Sequence, residues 1–517
     1  MAAGSGLGER WLALCLSALP LQLAARATQS TGPLAIIEGP RERPSIAFCN
    51  DAARAAGIEP AMKLAAAQAL ANKLAVVPRD LEREHQALHE LACWAYQFSS
   101  RVAIRTGTSA SAGAGGLVLE TGGSERLFGG SDQLHLRIRR GLAALGYRAA
   151  IGGAPNPAAA WLIGTARASG LSARDAQANG ELHAALAPLP LDVLKWDAET
   201  TRTLHKLGLS SVGQLLELPR DAFARRFGAS RLEELDRALG LLPDPQPAFL
   251  PPTRFSAHLE LPADVTQAGQ LTFPAHRLLR SLEGFLRGHG AGTTELIFTA
   301  HHNARGGQAA TATRIALALA APERDAERLV KLLAQRLTRA SLPQPAVRLS
   351  LAVERLASFQ ACNASLLPPS RDSVRDGPDW LQLAETLHAR FGSERVFQLQ
   401  AIDDHRPEHA YRIVPLAIER APPRAPVQPL CAQPRPLLIL PAPHPLSQQD
   451  EQPDYGGRLA LLAGPERIEA GWWDFGDPRR PTVHRDYFVA RNRTGQTLWI
   501  FRELKQPRGW YLHGFFC

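Results

Sequence analysis

No two of the six cysteines (Cys15, Cys49, Cys93, Cys362, Cys431, Cys517) stand as a C-x-x-C pair, which argues against a zinc site and leaves no disulfide framework to read. A reducing cytosol is the simplest setting for such a chain. No uninterrupted apolar run reaches the roughly 18–20 residues that span a bilayer, so neither a transmembrane segment nor a membrane partner is expected. Negative charge is also short, with 49 Asp and Glu against 58 Lys and Arg and a net charge of +9. The surplus is mostly arginine, whose planar guanidinium pairs with phosphate through two parallel hydrogen bonds, so a phosphate-rich partner fits the sign.

What is present is a globular composition, 45% hydrophobic and 21% charged, and not that of a disordered chain. A length of 517 residues is too great for one core and predicts about three to five domains of roughly 100–200 residues each.

The stretch Trp11–Ala24, WLALCLSALPLQLA, admits two readings. As a secretion signal it has an apolar core followed by the A-x-A pattern Ala25-Arg26-Ala27, but Glu9 beside Arg10 removes the net positive charge that such signals carry ahead of the core. As the first strand of a buried sheet it needs no such charge, and that is the expectation adopted here. Ser45–Asn50 then reads as a short strand. Asp51 is the expected cap of the helix DAARAAGI, Gly57 its end, and Pro60 the start of a second helix to Ala71. Asp80–Gln97 has apolar residues at helical spacing and acids in its first turn. Strands at Arg101–Arg105 and Leu117–Glu120 flank the loop GTSASAGAGG. A basic helix around Asp132–Leu145, a strand at Arg148–Gly152 and a helix from Asn156 to Ser169 follow. Such alternation is that of a sheet covered by helices.

In TRTLHKLGLSSVGQLLELP, two short helical patterns flank Leu207-Gly208-Leu209. This has the form of a helix-hairpin-helix, whose Gly208 turn would let backbone N–H groups approach a phosphate; a plain αα-hairpin packing a core accounts for it equally well. Between Phe255 and Leu356 the elements read strand, helix, strand, strand, helix, strand, a β-α-β-β-α-β unit with clean alternation in the strands. From Pro251 to Leu356 there are 13 Arg and Lys against 8 Asp and Glu, whereas from Ala357 onward the count is 19 against 18. A solvated charged face would explain that surplus, and a phosphate-tracking surface explains both its sign and its location.

Further on, DWLQLAETLHARFG reads as a helix. Pro422–Pro453 holds enough prolines to be linker or edge structure. The last sixty residues read as short strands rich in aromatics, among them Trp472, Trp473, Tyr487, Trp499, Phe501 and Trp510. A small β domain needs such residues as core, although a ligand platform is the other use for them. Asp403, Asp404, His405 and Glu408 form the densest acid and histidine cluster, and its spacing in a polar loop points to solvent-facing charge rather than to a metal. His301-His302, at a strand end, suits either contact with a DNA backbone or solvent exposure.

Taken together these segments resemble a Y-family translesion DNA polymerase. FCNDAARAAGIEPAMKLAAA (Phe48–Ala67) looks like the family's fingers motif, with Arg54 where an arginine contacts the incoming triphosphate and Asp51 where a tyrosine is usual. AAIGGAPNPAAAWLI (Ala149–Ile163) looks like its palm motif, with Asn156 retained and Pro157 and Trp161 in place of two lysines. The metal-binding carboxylates are missing from the matching positions, which here are Cys15, Ser17, Gly115 and Gly116. Glu120 matches a later acidic position that is not a metal ligand. A thiol, a hydroxyl and two glycines cannot hold hard Mg²⁺. With SLLPPSRDS, DDHRPEHAYR, GWWD and RDYFVARNRTGQTLWIFRE, the pattern resembles a catalytically defective branch of the family over nearly the whole chain.

The resemblance implies an α+β multidomain fold, a Y-family polymerase-like right hand with a C-terminal extension. Palm and fingers would occupy 1–178, a helix-hairpin-helix thumb 179–250, a β-α-β-β-α-β little finger 251–357, a linker with a helical segment 358–455, and a small aromatic-rich β domain 456–517. It implies no enzyme activity, no cofactor and no metal, and a cytoplasmic, nucleoid-associated protein. That protein would bind damaged or primed DNA and bring together the sliding clamp, an error-prone C-family DNA polymerase and a RecA-like accessory protein. The alternative is an active translesion polymerase that uses displaced carboxylates such as Glu120. DNA contact is expected through Gly208, Arg277, Arg280, Arg287, Arg305, Arg314 and Lys331. The nearest match to the family's clamp-binding peptide is Asn363-Ala364-Ser365-Leu366-Leu367, for which a buried loop anchor is the competing explanation.

Overall fold

The computed structural model describes residues 9–28, 32–40, 42–106, 115–303, 311–359, 378–392, 395–416, 435–474 and 481–516. They fall in two units, 1–369 and 370–517. The N-terminal apolar stretch is only partly a strand. Strand β1 (Trp11–Cys15) ends where helix α1 (Leu19–Thr28) is about to begin, with Pro20 in the first turn, where a missing N–H is harmless. A small sheet follows, in which β2 (Leu34–Glu38) runs antiparallel to β3 (Ser45–Cys49) and parallel to β4 (Ala75–Pro78). Between β3 and β4 lie two short helices, α2 (Asp51–Ala55) and α3 (Leu64–Leu70). The cap of α2 is Asn50, not Asp51, because its Oδ1 accepts from the N–H groups of both Ala53 (2.9 Å) and Leu34 (3.0 Å). Helix α3 starts at Leu64 rather than Pro60, since Ala61 sits at φ 67°, outside the helical region.

Asp80 caps α4 (Leu81–Ala95). Strands β5 (Val102–Arg105) and β6 (Gly116–Glu120), helix α5 (Ser131–Ala144), strand β7 (Ala150–Ala154) and helix α6 (Pro157–Ala168), capped by Asn156, complete the main layer. The sheet order is β5-β6-β1-β7. Leu12, Leu14 and Leu16 pack with Leu88, Leu91, Trp94, Leu134 and Ile138 of α4 and α5. Trp11, Ala13 and Cys15 pack on the other face, with Ala159, Ala160 and Ile163 of α6. Covered on both sides, β1 is apolar at every position instead of alternating.

The segment from α7 (Leu182–Leu186) through α8 (Ala198–Lys206), α9 (Val212–Leu216), α10 (Arg220–Phe227) and α11 (Ala229–Ala238) is helical. Leu204, Val212, Leu215 and Phe223 from it join the core on the α6 side of the sheet. Next comes the β-α-β-β-α-β unit, with β8 (Phe255–Val265), α12 (Thr272–Gly288), β9 (Ala291–His302), β10 (Ala312–Glu323), α13 (Ala326–Leu337) and β11 (Ala346–Val353). Its sheet runs β10-β9-β11-β8, with the two-residue β12 (Ala357–Ser358) beside β9. Leu279, Leu282 and Phe285 of α12 and Leu329 and Leu333 of α13 are buried, as are Leu296, Phe298, Leu349 and Leu351 of the sheet.

In the second unit, helix α14 (Pro378–Phe391) precedes an antiparallel hairpin, β13 (Phe397–Ala401) and β14 (Tyr411–Pro415). A six-stranded sheet in the order β16-β15-β20-β19-β18-β17 is built from β15 (Leu438–Gln449), β16 (Gln452–Asp454), β17 (Ala460–Ala470), β18 (Val483–Arg491), β19 (Thr497–Glu503) and β20 (Gly509–Phe515). The sheet thus starts at Leu438, ahead of the expected boundary at 456. Strand β15 carries Pro441, Pro443 and Pro445; the first two fall in a register shift between Ile439 and His444, and Pro445 pairs with Tyr511 beyond it, since proline removes a ladder donor but is accommodated at a bulge. Tyr487, Trp499, Phe501 and Trp510 are core, whereas Trp472 and Trp473 are 66% and 44% exposed.

Candidate functional site

The strand register sets Cys15 opposite Gly116 on one side and Ala150 on the other. The Leu16 N–H donates to the Gly115 carbonyl at 3.1 Å. Cys15, Ser17, Gly115 and Gly116 therefore meet at one end of β1. A cleft of ≈ 600 Å³ opens there, lined by Cys15, Ser17, Phe48, Arg105, Trp161 and Trp196 among others. The Cys15 thiol is 5% exposed, donates to the Trp161 carbonyl at 3.8 Å and lies 3.9 Å from Thr165 Oγ1. Burial pushes it up to about 12, against smaller opposing effects from Thr165 and Arg105, so it is neutral at physiological pH. The Arg105 guanidinium reaches Asp244 at 3.8 Å and lies 5.5 Å from the Trp161 ring. Glu234, also in the cleft wall, accepts from Trp196 Nε1 at 2.8 Å.

The donors at the positions that match the family's metal ligands do not fit Mg²⁺, and the two acids in the cleft wall, Asp244 and Glu234, are engaged by Arg105 and Trp196. A neutral thiol and hydroxyls are poor partners for a hard dication, which takes carboxylates, and the guanidinium of Arg105 repels it. Room for a carboxylate at position 115 or 116 is missing as well. A Cβ on Gly116 would lie 2.1 Å from the Leu14 carbonyl oxygen and 3.0 Å from the Trp161 indole, and one on Gly115 would lie 2.1 Å from the Arg105 carbonyl oxygen. Glu120 pairs with Trp11 at the opposite end of β1, about 13 Å from Cys15 at a strand rise of about 3.3 Å per residue. Its Oε1 accepts from the N–H groups of Gly122 (2.9 Å) and Arg10 (3.4 Å), as a turn cap does.

Arg54 is exposed on α2 and pairs with Asp51 at 3.0 Å. The acid at position 51 thus holds the guanidinium expected to meet a triphosphate, though an exposed pair of this kind is worth at most about 1 kcal/mol. Gly208 adopts φ 81° between α8 and α9, as a hairpin turn requires. Its N–H donates to the His205 carbonyl at 2.9 Å and that of Leu209 to Leu204 at 3.2 Å, while the Ser210 N–H donates to Gln214 Oε1 at 2.8 Å. These amides are satisfied within the chain, which suits the core-packing hairpin.

The basic residues of the β-α-β-β-α-β unit divide into two groups. Arg280 pairs with Glu283 at 3.0 Å and with Glu327 across to α13, and Arg287 pairs with Glu283 at 2.7 Å. Arg277 is half-buried, and burial lowers its pKa. Arg314 is exposed on the sheet face turned away from the helices, and Lys331 is exposed on α13. Arg348, not singled out from the sequence, is exposed on the same sheet face, directly across from His301. Its signal was present, since in AVRLSLAV the arginine takes a polar slot of the alternation. His301 Nε2 meets Ser350 Oγ at 2.8 Å, and burial followed by Arg348 lowers its pKa. His302 is buried between Thr313 and the Pro345 carbonyl. Arg305 and Asn363–Leu367 lie outside the described residues.

In the second unit two of the four members of the acid and histidine cluster form ion pairs, and Asp404 is buried rather than solvent-facing. Asp404 pairs with Arg406 at 2.8 Å, and Glu408 with Arg485 at 2.9 Å. Arg406 also meets Asp474 and donates to the Pro481 carbonyl at 3.2 Å. The loop 402–410 is thereby tied to the turn that carries Trp472 and Trp473.

Residues 21–165 match the family model described as impB/mucB/samB family. The β-α-β-β-α-β domain behind a helical segment is the order of elements that the resemblance to a Y-family polymerase implies. Over a longer span the chain is similar to Protein ImuB of Caulobacter vibrioides strain NA1000 / CB15N, 29% identical over 488 residues that cover 89% of this chain and 100% of that protein. Protein ImuB of strain ATCC 19089 matches to the same extent. Coverage of 89% takes in part of the second unit. Among solved structures, DinB from Sulfolobus solfataricus is 12% identical with a TM-score of 0.36, covering 68% of this chain and 99% of that one. An insertion ternary complex of Dbh DNA polymerase is 14% identical with a TM-score of 0.39, covering 67% and 99%. Among the described residues no helix is long and apolar enough to cross a membrane.

Proposed function

We propose that the chain is a polymerase-like scaffold that has lost metal-dependent nucleotidyl transfer. In this reading it binds damaged or primed DNA and gathers the sliding clamp, an error-prone C-family polymerase and a RecA-like accessory protein for damage-induced mutagenesis. The observation that carries the reading is the end of β1, where a neutral thiol faces a glycine whose Cβ position is filled by the Leu14 carbonyl. Two-metal phosphoryl transfer needs carboxylates converging on ions about 3.5–4 Å apart. Of the displaced acids that an active polymerase could use, Glu120 caps a turn at the far end of the strand, and Asp244 and Glu234 in the cleft wall are engaged by Arg105 and Trp196. Purified protein given primed template, deoxynucleotides and Mg²⁺ or Mn²⁺ should add no nucleotide. Extension that survives Cys15→Ala would sink the proposal, and its loss in Glu120→Ala would favour an active polymerase.

For DNA we assign the exposed sheet face with Arg314 and Arg348, and not the helix side that carries Lys331, as a sequence-independent phosphate-binding surface. Removing one cation that pairs with a phosphate should lower the slope of log affinity against log salt by about one. Arg314→Ala and Arg348→Ala are each expected to show that change in fluorescence-anisotropy titrations. Arg280→Ala and Arg287→Ala, whose guanidiniums are held by Glu283, should leave the slope unchanged. The reverse ranking would move the interface to the helix side.

A further inference from the structure

Where β8 and α12 meet α1, α4 and the start of β7 lies a small pocket of ≈ 90 Å³. Arg26 and Arg83 enter it from the palm-like layer, and Arg277 and Ser281 from α12. The Arg26 guanidinium lies 3.5 Å over the Tyr147 ring and donates through Nη2 to the Gly146 carbonyl at 2.5 Å, while its Nε is buried without a hydrogen-bond partner. A point at the Cβ position of Gly146 is 3.2 Å from Arg277 Nη2 and 3.6 Å from Arg26 Nε. Two guanidiniums from separate domains, both lining the pocket, therefore stand close together beside Gly146. Among the described residues no carboxylate forms an ion pair with Arg26, Arg83 or Arg277. Glu90 and Glu260 line the same pocket and offset part of this charge, Glu90 only in part because burial pushes its carboxyl up to about 7, so the three guanidiniums still outnumber the negative charge.

Like charges brought together in a partly desolvated space are costly unless an anion joins them. Guanidinium forks match a tetrahedral oxyanion through paired N–H donors, and Ser281 adds a hydroxyl. The pocket is far below the roughly 300–1,000 Å³ of ordinary ligand sites, which admits one phosphoryl group and excludes a nucleoside. We propose that this pocket binds a single phosphoryl oxyanion between Arg26 and Arg277, bridging the palm-like layer and the β-α-β-β-α-β domain. The group belongs either to free phosphate or to a phosphorylated DNA end, and its binding ties the two domains together.

The test is arginine modification by phenylglyoxal on the full-length protein, read by peptide mass spectrometry. Three conditions are compared: orthophosphate, a 5′-phosphorylated duplex, and the same duplex without the phosphate. Protection of Arg26 and Arg277 at least about tenfold above that of the exposed Arg225 is expected, as a charge-assisted hydrogen bond to the anion would imply. Protection by orthophosphate assigns the free anion, and protection only by the phosphorylated duplex assigns a DNA end. Equal modification of Arg26 and Arg277 under all three conditions overturns the proposal. The Arg26→Gln/Arg277→Gln variant, checked for folding by circular dichroism, should lose the thermal shift that orthophosphate gives the wild type. An equal shift in both proteins also overturns it.

Discussion

Gly116→Ala is expected to destabilise the first unit by about 3 kcal/mol or more, at the upper end of overpacking costs. The added carbon has nowhere to go, being 2.1 Å from a backbone oxygen of β1 and 3.0 Å from the Trp161 ring. A flexible side chain can yield; the Leu14 carbonyl belongs to the central strand and moves only with the sheet. Because a chain of two units does not unfold in one step, the readout is amide exchange in β1 and β6, which should speed up about 100-fold. Unchanged exchange would mean that the two strands separate freely and take up the methyl group without strain. The same crowding predicts that Cys15→Asp combined with acids at Gly115 and Gly116 lowers the yield of folded protein instead of creating a polymerase.

Arg406→Ala carries the largest expected effect in the second unit. Arg406 is fully buried and binds both oxygens of Asp404, through Nε at 3.1 Å and Nη2 at 2.8 Å. Removing it leaves Asp404 and Asp474 without the guanidinium they share, which for a broken buried pair costs about 3–5 kcal/mol. The transition of this unit should fall by roughly 10 °C in calorimetry of the full chain, with that of the first unit unmoved. Arg406→Lys should recover little, because a point charge cannot reproduce the bidentate fork. Burial raises the Asp404 pKa, but the hydrogen bonds from Arg406 outweigh it and hold the carboxyl below its ordinary value. The pair's contribution is therefore full above the unfolded carboxylate pKa of about 3.9 and fades as the pH drops through the lower folded value. A variant as stable as the wild type at neutral pH would show that the ion pair carries no net stability.

Regular elements were legible where periodicity is undisturbed. The β-α-β-β-α-β unit was readable because its strands alternate and its helices repeat apolar residues three and four apart. Strand β15 was not, because three prolines argue against a strand, and the register shift that takes up Pro441 and Pro443 has no local signature. Trp11–Ala24 was readable as buried, yet its division into strand and helix was not, since a run apolar on every side has no period to interpret. Among the charges, the Arg280–Glu283 and Glu283–Arg287 spacings of three and four are visible along the helix. The link from Arg280 to Glu327 on another helix is not.

The sequence by itself determined which donors stand at the end of β1 and the basic sign of the β-α-β-β-α-β domain, because both are matters of residue identity. It took the folded chain to show that no Cβ fits at Gly115 or Gly116, that Arg280 and Arg287 are engaged while Arg314 and Arg348 are exposed, and that Arg26 and Arg277 stand close together beside Gly146. Each of those depends on backbone and side chains from segments far apart in the chain, and no local pattern records how closely they approach.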